Sequence, residues 1–274
     1  MRRAAHAGLS VVALTDHDTF DGWPPAMAAA PGAGVVVVGG VEMSTTLHET
    51  GVHVLGYLPD PVHPPLADEL ARIRADRAQR IHAMTDRLTE LGITITVDDV
   101  LAAAGDASTL GRPHVADALI AKGYVRSRRD AFAKYLSAGG PAYVRKYAPT
   151  TTDAVRLIRA AGGVPVLAHP WGRGSREVLD AATIADLAAA GLAGLEVDHV
   201  DQAAGARTEL RRIAGELDLI VTGSSDYHGA GKAGHYLGTH TTAVDEYERL
   251  VELAASTALA AGRSGPRPVG AGAA

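Results

Sequence analysis

The 274-residue chain contains no cysteine, which excludes disulfide scaffolds, thiolate zinc sites and cysteine nucleophiles. Positive charge is in deficit: 26 Lys and Arg stand against 31 Asp and Glu, a net of −5. That balance excludes a protein gripping duplex DNA by global positive charge. A run of about 18 apolar residues, the minimum for a membrane span, is also missing. The basic start Met1-Arg2-Arg3 lacks the apolar stretch and cleavage site of a signal peptide, so a cytoplasmic protein is expected. What remains is 47% hydrophobic, enough for one large α/β domain or two small ones.

Short β-rich runs alternate with Ala/Leu-rich helical stretches, the pattern of a parallel α/β protein. Strands are expected at 9–14, 35–38, 52–56, 164–168, 194–197 and 219–222, apolar almost throughout, as strands covered on both faces should be. Residues 1–7 read as the last turns of a helix closed by Gly8. Between 65 and 147 the pattern changes to helix after helix. There Leu66, Leu70, Ile73, Ile81, Met84, Leu88 and Leu91 follow a helical period, which predicts a helical insertion subdomain. The expected domains are therefore 1–64 and 148–262 for the α/β body, 65–147 for the insertion, and 263–274 for a disordered Gly/Pro/Ala-rich tail.

The chemistry-bearing residues cluster by position. Strand 9–14 ends in Thr15-Asp16-His17-Asp18, strand 35–38 runs on to Glu42, and the next strand carries His53. Strand 164–168 ends at His169, strand 194–197 is followed by Asp198-His199, and strand 219–222 leads to Asp226 and His228. Parallel α/β folds build active sites at the C-terminal ends of strands. Singly, each residue has an ordinary explanation as a cap, a turn or a satisfied polar group. Together they form an imidazole and carboxylate set without thiolate, suited to Mn²⁺, Zn²⁺ or Fe²⁺. A divalent metal cluster of two or three ions, most simply Mn²⁺, accounts for all of them. His6, His48, His63, His82, His235 and His240 lack strand-end placement and read as surface or satisfied polar residues.

A second constellation, Gly111-Arg112-Pro113-His114, lies in the insertion. Pro113 suits the first turn of a helix, whose N-terminus favours anions, so Arg112 and His114 are candidate phosphate binders. Lys134, one of only four lysines, is a further candidate.

These strings resemble, in order, those of the PHP (polymerase and histidinol phosphatase) family of metal-dependent phosphoesterases. They are Thr15-Asp16-His17-Asp18-Thr19, Gly40-Val41-Glu42-Met43-Ser44, His53-Val54-Leu55-Gly56, Gly111-Arg112-Pro113-His114, Ala168-His169-Pro170 and Ser225-Asp226-Tyr227-His228. The insertion resembles that of a subgroup containing nucleoside 3′,5′-bisphosphate phosphatases and 5′-to-3′ exoribonucleases acting on short RNA. The resemblance implies a distorted (β/α)7 TIM-like barrel with metal ligands His17, Glu42, His53, His169, Asp226 and His228. Arg112, His114 and Lys134 would hold substrate phosphate, and Asp16 and His199 would take the remaining catalytic roles, orienting ligands. The substrate implied is a nucleotide or short oligoribonucleotide, with no duplex DNA and no membrane. The family's first motif, a His-x-His at the end of its first strand, does not occur before Thr15. The barrel is therefore expected to miss its first strand, either because the start lies too late or through true truncation. Two other readings remain: an amidohydrolase-like barrel, and a metal-poor, non-catalytic relative.

Overall fold

The computed structural model describes residues 1–105, 110–172, 174–229 and 234–270. The chain divides into two compact units, Met1–Asp68 with Pro149–Ala274, and Glu69–Ala148.

The first unit is a mixed α/β fold. Helix α1 (Arg2–His6) leads to β1 (Val11–Leu14), α2 (Trp23–Ala33), β2 (Val36–Leu47) and β3 (Thr50–Tyr57). After α3 (Pro64–Glu90) and the second unit come α7 (Thr151–Ala160), β4 (Val164–Leu167), α8 (Ala181–Ala189), β5 (Gly194–Asp198), α9 (Ala204–Glu216), β6 (Ile220–Gly223) and α10 (Val244–Ala260). Six strands form one sheet in chain order. It is not the all-parallel sheet expected. β1 and β2 run parallel, as do β4, β5 and β6, but β3 is antiparallel to both of its neighbours.

The reversal originates in a turn with no turn-like sequence. Leu47 pairs with Thr50, and the two residues between them, His48 (φ 44°) and Glu49 (φ 68°), both take left-handed backbone. Such a two-residue loop matches the twist of a hairpin but is usually built from Asn and Gly. β2 consequently runs on through Leu47 rather than ending at Val38.

The sheet curls. Val11 of β1 and Ile220 of β6 stand at opposite ends of the strand order, yet both pack into one core with Val38, Leu55, Val164, Val166 and Leu250. A flat sheet would hold them several strand spacings of about 4.8 Å apart. Helix α7 is capped by Thr150, whose hydroxyl accepts the Asp153 N–H at 3.1 Å. It packs on β2, β3 and β4. The stretch after Gly262, expected to be loose, is held as far as Gly270. Arg263 pairs with Asp60, and Val269 exchanges two backbone hydrogen bonds with Val37 on β2 at 2.7 and 2.9 Å. Residues 271–274 of that tail lie outside the described residues.

The second unit is helical: the bulk of α3, then α4 (Val97–Ala104), α5 (Arg112–Ala121), α6 (Arg128–Ala131) and a π-helical turn, Phe132–Leu136. Ile81, Met84, Leu88, Val100, Val115 and Leu119 form its buried core. The start of α4 is fixed by a reciprocal pair: Thr96 Oγ1 accepts the Asp99 N–H while the Asp99 carboxylate accepts the Thr96 N–H.

Candidate metal centre

Glu42 sits near the middle of β2, and three imidazoles converge on its carboxylate. His53 Nδ1 lies 2.6 Å from Oε1, His169 Nε2 3.2 Å from Oε1, and His17 Nδ1 3.7 Å from Oε2. Each arrives by a different backbone route. The β1 ladder continues past Leu14, so that His17 and Glu42 form a parallel bridge, with Asp18 N–H donating to Glu42 O at 3.1 Å. His53 pairs with Ser44 in the antiparallel register, which puts it diagonally across from Glu42 on the same face of the sheet. Because β3 is reversed, its N-terminal half lies at the sheet end where the parallel strands finish. His169 follows β4 with φ 30°, and its N–H donates to the Glu196 carboxylate on β5 at 2.9 Å.

Asp18 explains how the first loop holds its shape. Fully buried, it takes φ 57°, and its two carboxylate oxygens accept the Ser44 N–H at 2.6 Å and the Ser44 hydroxyl at 2.9 Å. Gly22 clears room for the neighbouring carboxylate, since a Cβ there would stand 2.4 Å from Asp16 Oδ2.

The second half of the centre surrounds Asp226, itself at φ 46°. His228 Nδ1 donates to the Asp226 carbonyl at 2.8 Å, which leaves the Nε2 lone pair for a cation, the usual arrangement in a ligating histidine. His199 is different. It is fully buried, and its Nδ1 accepts the Asp201 N–H at 3.0 Å, so the neutral ring carries its proton on Nε2, 3.4 Å from Asp226 Oδ2. His199, Asp201 and Asp226 have donor atoms within 4.8 Å of one another. His199 Nε2 faces Asp226 but makes no hydrogen bond among the described residues. His235, expected at the surface or as an ordinary polar residue, is instead buried beside them with Nδ1 3.8 Å from Asp226 Oδ2.

Successive ring centroids from His228 through His17, His53, His169 and His199 to His235 lie 6.3, 5.0, 5.4, 5.2 and 6.3 Å apart. Charge follows this geometry. Burial opposes ionisation of Glu42, but the imidazoles of His17 and His53 and hydrogen bonds from His169 and His53 together hold its carboxyl well below the usual range. Burial raises Glu196, against the pull of His169 and His199. Burial also raises Asp16, opposed by His17 and His228. The donor set is nitrogen and oxygen only, and His17, Glu42 and His53 offer ligand atoms within 4.8 Å of one another. That chemistry fits a divalent cation.

In the helical unit, Arg112 and His114 come together at the start of α5. Gly111 N–H donates to His114 Nδ1 at 3.1 Å, which leaves Nε2–H as the outward donor. Arg112 lies 5.5 Å from the ring centroids of both Phe132 and Tyr143 and donates to Leu136 O at 3.1 Å. Lys134 is turned to Asp130, one helical turn back, at 3.2 Å on the exposed side.

No protein-family model matches the chain. Full-length relatives do. The chain is 34% identical over 239 residues to 3′,5′-nucleoside bisphosphate phosphatase of Chromobacterium violaceum, covering 87% of this chain and 84% of the relative. It is 34% identical over 228 residues to 5′-3′ exoribonuclease of Haemophilus influenzae, covering 83% and 82%. A crystal structure from Bifidobacterium adolescentis, named a metal-dependent phosphoesterase, superposes with a TM-score of 0.85 at 37% identity, covering 91% of this chain and 88% of that one. The motif order, the imidazole and carboxylate centre and these relatives agree: the chain belongs to the PHP family of metal-dependent phosphoesterases.

Proposed function

We propose that this protein hydrolyses phosphate esters of nucleotides or of short RNA, as a nucleoside 3′,5′-bisphosphate phosphatase or a 5′-to-3′ exoribonuclease. The observation that carries this reading is the sharing of one buried carboxylate, Glu42, by His17, His53 and His169. A carboxylate offers cations two oxygens, where a neutral imidazole offers a single lone pair.

His17, Glu42, His53, His169, Asp226 and His228 would hold two or three divalent ions, Mn²⁺ first and Zn²⁺ or Fe²⁺ as alternatives. Such ions, when bound, draw charge from phosphate oxygens and acidify water to a pKa of about 7. The chain's own groups do the rest. Asp16 retains a proton to higher pH than an ordinary aspartate, which suits it to protonate a leaving oxygen. His199, with Nε2 3.4 Å from Asp226 Oδ2, would help to orient that carboxylate. Arg112 and His114 Nε2–H offer positive charge and a donor for phosphate oxygens. Lys134, already paired with Asp130, contributes least. The sheet is the curled part of a distorted (β/α)7 barrel in this reading, and the net charge of −5 suits a small substrate in the cytoplasm rather than long duplex DNA.

The test is hydrolysis of adenosine 3′,5′-bisphosphate and of a short oligoribonucleotide with Mn²⁺ added. Activity on either that disappears in His169→Ala and Asp226→Ala is the expected result. Full metal loading with turnover of neither substrate would refute the assignment.

A further inference from the structure

His169 reaches Glu42 from a backbone that histidine rarely adopts. Its φ of 30° is left-handed, and Pro170 follows it, although a residue before proline favours extended backbone. Such a conformation persists only where the surroundings over-determine it. Here they do. The Ala168 N–H donates to His53 O at 3.1 Å, and the Gly172 N–H to His169 O at 2.8 Å. The His169 N–H itself donates to Glu196 Oε2 at 2.9 Å. Two residues on, the Trp171 N–H donates to Gln202 Oε1 at 3.1 Å. The Gln202 amide nitrogen in turn donates to the carbonyls of Glu196 at 2.9 Å and Val197 at 2.7 Å. The Ser175 hydroxyl closes the turn on Pro170 O at 2.6 Å.

Glu196 and Gln202 are both buried, the first on β5 and the second just beyond it. Between them they hold the alternate N–H groups of residues 169 and 171 in the loop that follows the neighbouring strand, β4. A buried carboxylate costs more than the apolar side chain a covered strand usually carries. That cost falls beside a candidate ligand. His169 meets Glu42 through Nε2 at 3.2 Å and Glu196 through its main-chain N–H, so one histidine joins two buried carboxylates. We infer that Glu196 and Gln202 are positioning residues of the metal centre, holding the backbone at 169 and 171 in the shape that brings the His169 imidazole to Glu42. The reach of the Glu196 side chain is what counts, not its charge. This rests on His169 being a ligand, as in the proposed function.

The experiment is calorimetric titration of Mn²⁺ into the whole chain, stripped beforehand with chelator that is then removed. Glu196→Gln keeps the reach and an acceptor oxygen but loses the charge, and should bind Mn²⁺ as tightly as wild type. Glu196→Asp keeps the charge but is one methylene shorter, and should bind about tenfold more weakly. In a His169→Ala background, Glu196→Asp should cost no further affinity, because its effect passes through that imidazole. Weakened binding in Glu196→Gln overturns the inference, since the centre would then need the charge. Unchanged Mn²⁺ affinity in Glu196→Asp overturns it too, and a lower melting temperature in that variant would mark a purely structural carboxylate. Should Glu196→Asp not fold, Gln202→Met decides. It frees the Trp171 N–H without altering charge, and unchanged Mn²⁺ affinity in it overturns the inference. A wild type that binds no Mn²⁺ refutes the metal centre and this inference with it. Wild-type binding with unchanged affinity in Glu196→Asp refutes the positioning role alone.

Discussion

The backbone N–H of Asp201 points into Nδ1 of His199 at 3.0 Å, and the proton this forces onto Nε2 faces Asp226 Oδ2 across 3.4 Å. We propose that this ring supports Asp226 rather than ligating a cation itself. His199→Phe keeps the bulk and removes the donor. It should lower metal affinity or turnover about tenfold to a hundredfold, the usual effect of losing a hydrogen-bonding partner behind a ligand. Metal content after dialysis against graded chelator measures it, and unchanged retention with unchanged rate would count against the assignment.

Asp18 closes the loop that carries His17. Asp18→Ala strands a buried N–H and a buried hydroxyl on Ser44 and keeps a left-handed backbone that alanine resists. A loss of about 3 kcal/mol is expected from hydrogen bonds to a charged group. Urea unfolding of the metal-free protein checks this. Ser44→Ala should cost roughly half as much.

Asp16 provides the pH dependence. Its carboxyl is raised by burial, so the native state holds this proton more tightly than the unfolded chain does. Its contribution to stability is therefore present at pH values below the ordinary aspartate range and declines as pH rises toward the raised value. As the proton donor it should give the rate a limb that falls as pH climbs through the same value. Asp16→Asn should remove that limb and slow an alkyl phosphate ester about 100-fold. A nitrophenyl ester, whose leaving group needs no proton, should be far less affected. Equal losses on both esters would exclude a proton-donor role.

Metal removal should register in stability as well as in rate. A divalent ion at about 100 times its dissociation constant stabilises the folded chain by about 2.7 kcal/mol. Melting in Mn²⁺ and in chelator should differ accordingly, and Glu42→Gln should erase the difference.

Much of this was readable from residues alone. The apolar runs marked six strands, and the His, Asp and Glu at their ends marked Glu42, His17, His169 and Asp226 as one constellation. His53 was found for an incomplete reason: it lies mid-strand, and only the reversal of β3 brings it to the same end of the sheet. That reversal depends on His48 and Glu49 adopting left-handed backbone, to which neither residue type gives a local clue. His235 was hidden for another reason: it lies past the strand end, and only the fold buries it beside His199 and Asp226. The tail reads as loose by composition, yet as far as Gly270 it is tied, Val269 by backbone hydrogen bonds that its side chain does not announce.

In sequence the helical unit Glu69–Ala148 separates Glu42 and His53 from His169, and Glu42 and the last of these are 127 positions apart. During synthesis the β2–β3 hairpin emerges first, with Glu42 and His53 already on it. The missing imidazole arrives only after an entire helical body has been made. Closing so long a span adds little entropy beyond that of a shorter one, since the cost grows only with the logarithm of length. Time is what it adds: a nascent chain carries an unfinished, metal-attracting hairpin for as long as the ribosome needs to build the insertion. The order of elements therefore brings His169 in with β4, after the insertion, and leaves Asp226 and His228, beyond β6, until later still.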